Sequence, residues 1–326
     1  MSTTLLFPGQ GSQHPGMGRY LFDNFKIAQT LFEEASDALN QDMKKLCFEG
    51  SEVELALTEN TQPALLLVST VTQRVLRSEQ DIKIAAAAGH SIGEYAALVA
   101  ADVVRFDESL RAVRTRGQAM QSAVPVGKGG MVAVLGLEPD QVETLCQYTV
   151  KNSGQGPLSP ANFNAPGQIV ISGSQKAIDW LKDNFKPENI WGEGGPKRAK
   201  LIPLVVSAPF HCEMMKPAEE KMRAVLTAME FKTAAFPIVQ NFHAQFETEG
   251  AILRENLIRQ VSAPVRWTQS MELLKAKNLS LGIECGAGKV LSGLLKKIDG
   301  DFFKVLPTTS MEDLKNIEES LKASSH

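Results

Sequence analysis

Apolar positions in the first 127 residues alternate between short continuous runs and helically spaced stretches. Leu5 to Phe7, in the strand-like run Thr4-Leu5-Leu6-Phe7, reads as the first strand. Asp23 to Leu39 reads as an amphipathic helix, and Pro63 to Leu76 as a second, mostly apolar one. Ile82 to Ala88 fits another buried strand, although its four consecutive alanines favour no element by propensity. Glu94 to Ala101 is rich in helix formers, and a further helix runs from about Glu108 to Ala123. Strands alternating with helices predict a mostly parallel sheet covered on both faces.

After Gly127-Lys128-Gly129-Gly130, which reads as a hinge, the pattern changes. A strand (Met131 to Leu135), a helix from Pro139 and a strand near Ser159 to Asn164 come first. A turn at Ala165-Pro166-Gly167 leads to a strand (Gln168 to Ser172), a helix (Gln175 to Phe185) and a strand (Ala199 to Val205). This β-α-β-β-α-β order predicts a ferredoxin-like unit. It spans residues 128–205, inserted into a large α/β domain made of 1–127 and 206–326. The large domain resumes with helices at Lys216 to Ala228 and Ala251 to Gln260, and strands at Ile238 to Phe242 and Ser280 to Glu284. Helices at Val290 to Lys297 and Met311 to Lys322 close the chain.

Composition narrows the function. With 43% hydrophobic and 22% charged residues, the chain is ordinary for a globular protein with a full core. A net charge of −3 argues against general nucleic-acid binding. The four cysteines are widely spaced, which predicts reduced thiols and neither a disulfide framework nor a zinc site. No signal-peptide pattern and no run of roughly 18 apolar residues occurs, so the expected compartment is the cytoplasm.

Gly89-His90-Ser91-Ile92-Gly93 lies between a strand-like run and a helix-forming stretch. Gly-x-Ser-x-Gly in that context forms a tight turn that pushes the serine hydroxyl outward, above a helix N-terminus able to stabilise an oxyanion. A serine nucleophile needs a base. Of five histidines, His211 is the candidate because it follows Pro209-Phe210 in a loop after a strand; His243 is second. His90, adjacent to Ser91, points elsewhere on such a turn. Arg116 falls within the apolar stripe formed by Ala112, Val113, Ala119, Met120 and Ala123. A guanidinium facing inward needs an anion, either an internal Asp or Glu or a substrate carboxylate held by its fork.

Several segments together carry a family likeness. They are Phe7-Pro8-Gly9-Gln10-Gly11-Ser12-Gln13, Gly89-His90-Ser91-Ile92-Gly93-Glu94-Tyr95, Arg116-Gly117 with Met120-Gln121, and Asn162-Phe163-Asn164-Ala165-Pro166-Gly167-Gln168. Phe210-His211-Cys212 with Met215-Lys216-Pro217, Arg259-Gln260 with Pro264-Val265-Arg266-Trp267, and Glu284 to Leu291 complete the set. In order and spacing they resemble the malonyl-CoA:acyl carrier protein transacylases of type II fatty acid synthesis, over practically the whole chain.

The resemblance implies a hydrolase-like α/β domain with a ferredoxin-like insertion, and ping-pong malonyl transfer from malonyl-CoA to holo acyl carrier protein. It makes Ser91 the nucleophile, His211 its base, and Arg116 the partner of the malonyl carboxylate. Gln10 and the Ile92 N–H become the oxyanion hole, and Gln260 orients the histidine through its main-chain carbonyl. Asn162 and Asn164 lie at the cleft edge. Ile92 and Phe210 match the malonyl-selective wording of related polyketide acyltransferases, while Ala208-Pro209, Cys285 and Ala287 depart from the commonest wording. Acyl exchange between thiol and hydroxyl requires no cofactor or metal. The expected enzyme is a monomer, with a basic surface for an acidic carrier drawn from Lys197, Arg198, Lys200, Lys289, Lys296 and Lys297. Two alternatives stand beside it: an acyltransferase of a polyketide pathway, which shares the motifs, and a serine esterase or thioesterase using the same elbow, with its acid among Asp102, Asp107, Asp140, Asp179 and Asp183, none of which has a supporting motif.

Overall fold

In a computed structural model, which describes residues 2–196 and 199–323, the chain is organised around two sheets. The strands are β1 (Thr3–Phe7), β2 (Ile84–Gly89), β3 (Gly129–Leu135), β4 (Leu158–Ala165), β5 (Gln168–Ser174), β6 (Lys200–Pro203), β7 (Ile238–Val239), β8 (Phe246–Glu247), β9 (Leu281–Glu284) and β10 (Lys304–Pro307). The larger sheet has the order β10-β9-β1-β2-β7-β8. Its neighbours are parallel except for β8, which runs antiparallel to β7 at one edge.

Both faces of this sheet are covered, which is why β1 is buried along its whole length. Leu5 and Phe7 pack with Leu65 and Leu66 of the long Thr58–Glu79 helix; Leu6 faces the other way, towards Trp267, Met271 and Leu291. The alanines of β2 divide likewise, Ala87 to the first core and Ala86 and Ala88 to the second. Pairing with β1 on one side and β7 on the other makes this run a strand where propensity alone was neutral.

The smaller sheet, order β4-β5-β3-β6, is antiparallel, with β3 between the third and fourth strands of its own β-α-β-β-α-β unit. Alternation divides its side chains. Val132, Val134, Ile169 and Ile171 face a separate core with the Pro139–Ser153 and Gln175–Asn184 helices, whereas Met131 and Val170 face the large domain. Backbone bonds from Phe163 N–H to Val265 O (2.9 Å) and from Val265 N–H to Ala161 O (2.8 Å) fasten β4 across the cleft.

Some elements differ from the periodicity. The helix expected over Asp23 to Leu39 is broken at Phe25, whose extended backbone (φ −130°, ψ 123°) separates Arg19–Asn24 from Lys26–Leu39. The Phe25 N–H bonds back to Leu21 O, closing the first helix. The strand expected over Ile238 to Phe242 stops at Val239, because Asn241 gives its backbone N–H to a side chain, that of Glu94 (2.8 Å). The Trp267–Ala276 helix and strand β10 were not expected from periodicity.

Candidate active site

β2 ends at Gly89, and the helix Gly93–Ala100 starts four residues later. Ser91, at the apex, has φ 52°, a left-handed conformation strained for a residue with a side chain. The turn can be this tight because Gly93 passes close under β1: a Cβ there would lie 2.1 Å from the Phe7 carbonyl oxygen. The Asn241 side chain clamps the strained backbone. Its Oδ1 accepts from Ser91 N–H (2.7 Å) and its Nδ2 donates to Gly89 O (2.7 Å).

His211, 4% exposed and also left-handed (φ 58°), places Nε2 2.8 Å from Ser91 Oγ. Its Nδ1 faces two carbonyl oxygens, Gln260 O at 3.0 Å and Ala263 O at 3.2 Å. Carbonyls accept only, so the proton sits on Nδ1 and Nε2 is left as the acceptor for the serine proton. Burial, with the Arg116 charge second, pushes the imidazole pKa down to about 3, which keeps the ring neutral. Among the described residues, no aspartate of those open to a hydrolase triad bonds Nδ1; carbonyls occupy that place.

Arg116 is 1% exposed, as its position in the apolar stripe required. Its guanidinium donates to Gln62 Oε1 (2.9 Å), Gln260 Oε1 (2.9 Å) and Ser91 Oγ (3.2 Å), and lies over the Tyr95 ring at 5.8 Å. All three acceptors are neutral, and among the described residues Nε has no partner. Arg116 forms no ion pair among the described residues.

A cavity of about 190 Å³ opens onto these groups. Gln10, Ile92, Asn162, Asn164 and Phe210 line it with Ser91, Arg116 and His211. Ile92 precedes the Gly93–Ala100 helix, and among the described residues its N–H takes no protein acceptor. His90 points away from Ser91 Oγ; its Nε2 is 2.8 Å from Asn164 Oδ1. His243, the second candidate base, pairs with Asn256 (2.9 Å), and it is His211 that meets Ser91 Oγ. Lys197, Arg198 and the terminal His326 lie outside the described residues.

Sequence reasoning assigned no part to Asn241 or Gln62, and none to Glu94 beyond its place in a motif. Glu94 carried a signal: a carboxylate in the first turn of an otherwise apolar helix, every residue of which is buried. Asn241 and Gln62 carried none, since each meets the site through residues distant in the chain.

A parallel sheet covered on both faces, with an elbow serine beside a neutral histidine and a buried guanidinium, is the layout of a serine-type acyltransferase. The acyl transferase domain model matches residues 4–297. The chain is 45% identical to malonyl CoA-acyl carrier protein transacylase of Bacillus subtilis (strain 168), over 96% of this chain and 94% of that one. It is 41% identical to the same enzyme of Staphylococcus aureus (strain COL), over 98% and 99%. The solved transacylase of Coxiella burnetii superposes with TM-score 0.90 at 35% identity, covering 98% and 97%. A malonyl-transacylase solved in complex with its type II PKS acyl-carrier protein gives 0.90 at 38%, covering 98% and 100%. The chain belongs to the malonyl CoA-acyl carrier protein transacylase family.

Proposed function

We propose that this enzyme moves a malonyl group from malonyl-CoA to the phosphopantetheine thiol of acyl carrier protein, through a malonyl ester on Ser91, in support of fatty acid synthesis. The carrying observation is that Ser91 Oγ lies 2.8 Å from His211 Nε2 and 3.2 Å from a guanidinium with no carboxylate partner among the described residues. In the first half-reaction Oγ attacks the thioester carbonyl while Nε2 takes its proton. The Ile92 N–H and Gln10 receive the oxyanion. The carbon–sulfur bond then breaks, and the imidazolium returns the proton to the departing CoA sulfur. In the second half-reaction Nε2 takes the proton of the carrier thiol, sulfur attacks the ester, and Ser91 leaves as the hydroxyl.

Arg116 holds the malonyl carboxylate throughout and thereby fixes the acyl carbonyl against the oxyanion donors. A bound carboxylate also offsets the charge that depresses His211, so the substrate strengthens its own base. The Gln260 carbonyl orients His211, and Phe210, Asn162 and Asn164 form the cleft wall. The 128–205 unit is read as the insertion carrying that wall, on a domain formed by 1–127 and 206–326. Lys200, Lys289, Lys296 and Lys297 are the remaining candidates for the carrier surface. The enzyme is read as a monomer. The four buried free cysteines support a reducing, cytoplasmic setting, and the net charge of −3 argues against general nucleic-acid binding.

Service to a polyketide pathway is the second reading, favoured by the likeness to a transacylase bound to a type II PKS carrier. Incubation with isotope-labelled malonyl-CoA tests the reaction. Label is expected on the Ser91 peptide, then on added holo carrier protein; release as free malonate at the rate of acylation would make the enzyme a hydrolase instead.

A further inference from the structure

The buried Arg116 has no anionic partner in contact among the described residues, yet an uncompensated interior charge is costly. Glu94 lies one amide away. It is 0% exposed, and every polar contact on its carboxyl is a donor: Gln240 Nε2 at 3.0 Å, Asn241 N–H at 2.8 Å and Gln260 Nε2 at 3.2 Å. A protonated carboxyl would need an acceptor, and none is there among the described residues, so the contacts fit the ionised form. Burial raises its pKa overall, and these N–H donors with the Arg116 charge oppose that rise.

Gln260 joins the two charges. Its Oε1 accepts from Arg116 at 2.9 Å, and its Nε2 donates to Glu94 and to Ser91 O (2.9 Å). An ionised glutamate only accepts and arginine only donates, so both ends demand the same orientation of this amide. We propose that Glu94 is the counter-charge of Arg116, applied through the Gln260 amide, so that the guanidinium carries neutral acceptors only and no protein carboxylate competes with a substrate carboxylate for it. A carboxylate in direct contact would occupy the fork and compete with malonyl. A neutral surrounding without Glu94 would leave the arginine uncompensated whenever the cavity is empty. Glu94 is thus a positioning residue for malonyl selectivity, a role that rests on the reading of Arg116 as the partner of the malonyl carboxylate.

Glu94→Gln keeps the shape, removes the charge and sets an amide N–H against a donor. Gln260→Met breaks the relay but keeps the main-chain carbonyl that holds His211. In each variant kcat/KM for malonyl-CoA is expected to fall roughly tenfold or more. Acetyl transfer, and the labelling of Ser91 by an uncharged sulfonyl fluoride, are expected to fall much less than malonyl transfer, so that the malonyl-to-acetyl ratio drops at least about threefold in each variant. The double variant is expected to be no worse than the poorer single one, because both cut one path. A wild-type malonyl-to-acetyl ratio in both variants, or parallel loss of malonyl transfer, acetyl transfer and labelling, overturns the proposal. Should Glu94→Gln fail to fold, the ratio in Gln260→Met decides alone. Arg116→Ala run alongside separates the two ideas. If it leaves the ratio unshifted, the carboxylate reading falls and this proposal with it; if it shifts the ratio and the other two do not, only the counter-charge falls.

Discussion

Replacing Arg116 by alanine tests the chemistry at its most selective point. In the free enzyme the guanidinium rests on Gln62, Gln260 and Ser91, all neutral acceptors, and these contacts are available with either acyl group. Malonyl alone adds a carboxylate. Two charge-assisted hydrogen bonds at about 1.5–3 kcal/mol each make that addition worth about 3–6 kcal/mol. The corresponding loss of kcat/KM for malonyl-CoA is roughly two to four powers of ten. Acetyl-CoA has no carboxylate to lose. It is expected to hold its rate or gain a few-fold, because the Arg116 charge is one cause of the depressed His211 pKa and would be gone. The assay is transfer to holo carrier protein from malonyl-CoA and acetyl-CoA in parallel, with Ser91 labelling by a sulfonyl fluoride as the check on an intact nucleophile. Equal losses for both acyl groups would refute the reasoning and leave Arg116 a structural residue.

Two further outcomes follow from the same geometry. Gly93→Ala should lower stability by about 2 kcal/mol or more and carry transfer down with it, since the new methyl meets the backbone oxygen of Phe7 at 2.1 Å; Gly293→Ala, with nothing within 4 Å, should instead raise stability by about 0.5–1 kcal/mol. Urea midpoints read both, and a wild-type midpoint for Gly93→Ala would show that the elbow is looser than described. His211 makes stability depend on pH in a definite direction. Above about pH 6.5 it is neutral folded and unfolded, so it contributes nothing. Below that the unfolded chain binds a proton that the folded protein refuses until about pH 3. Stability is therefore lost as pH falls across this window, by on the order of 5 kcal/mol in all. His211→Asn should flatten that slope in denaturation curves taken at successive pH values; an unchanged slope would mean that the imidazole is not held neutral.

Features set by neighbours along the chain are legible in the sequence itself. Ser91 declares itself through the strand, turn and helix formers around it, and Arg116 through a helical period that assigns it to the buried face. The division of the small unit's strands follows from residue order and alternation. What is not legible depends on contacts between distant segments. Asn241 and Glu94 lie 147 residues apart, and their bond both ends a strand that periodicity would have continued and supports the clamp on Ser91. Gln62 and Arg116 lie 54 apart. The break at Phe25 is a local exception: one residue with extended backbone ends the first helix, and the periodic pattern on either side gives no sign of it.

Arg116 shows where such reading reaches its limit. The helical period establishes that a cation points inward and poses two partners for it, an internal acid or a substrate carboxylate. Periodicity treats these as alternatives because it sees one residue at a time. The fold places an internal acid near the arginine but interposes an amide, and an amide transmits polarity while presenting the guanidinium with a neutral oxygen rather than a carboxylate. A direct Arg–Glu pair would be as legible as a lone arginine and would predict a site closed to carboxylates. The difference between an open and a closed fork is thus the single side chain of Gln260, a residue that the family likeness values only for its main-chain carbonyl.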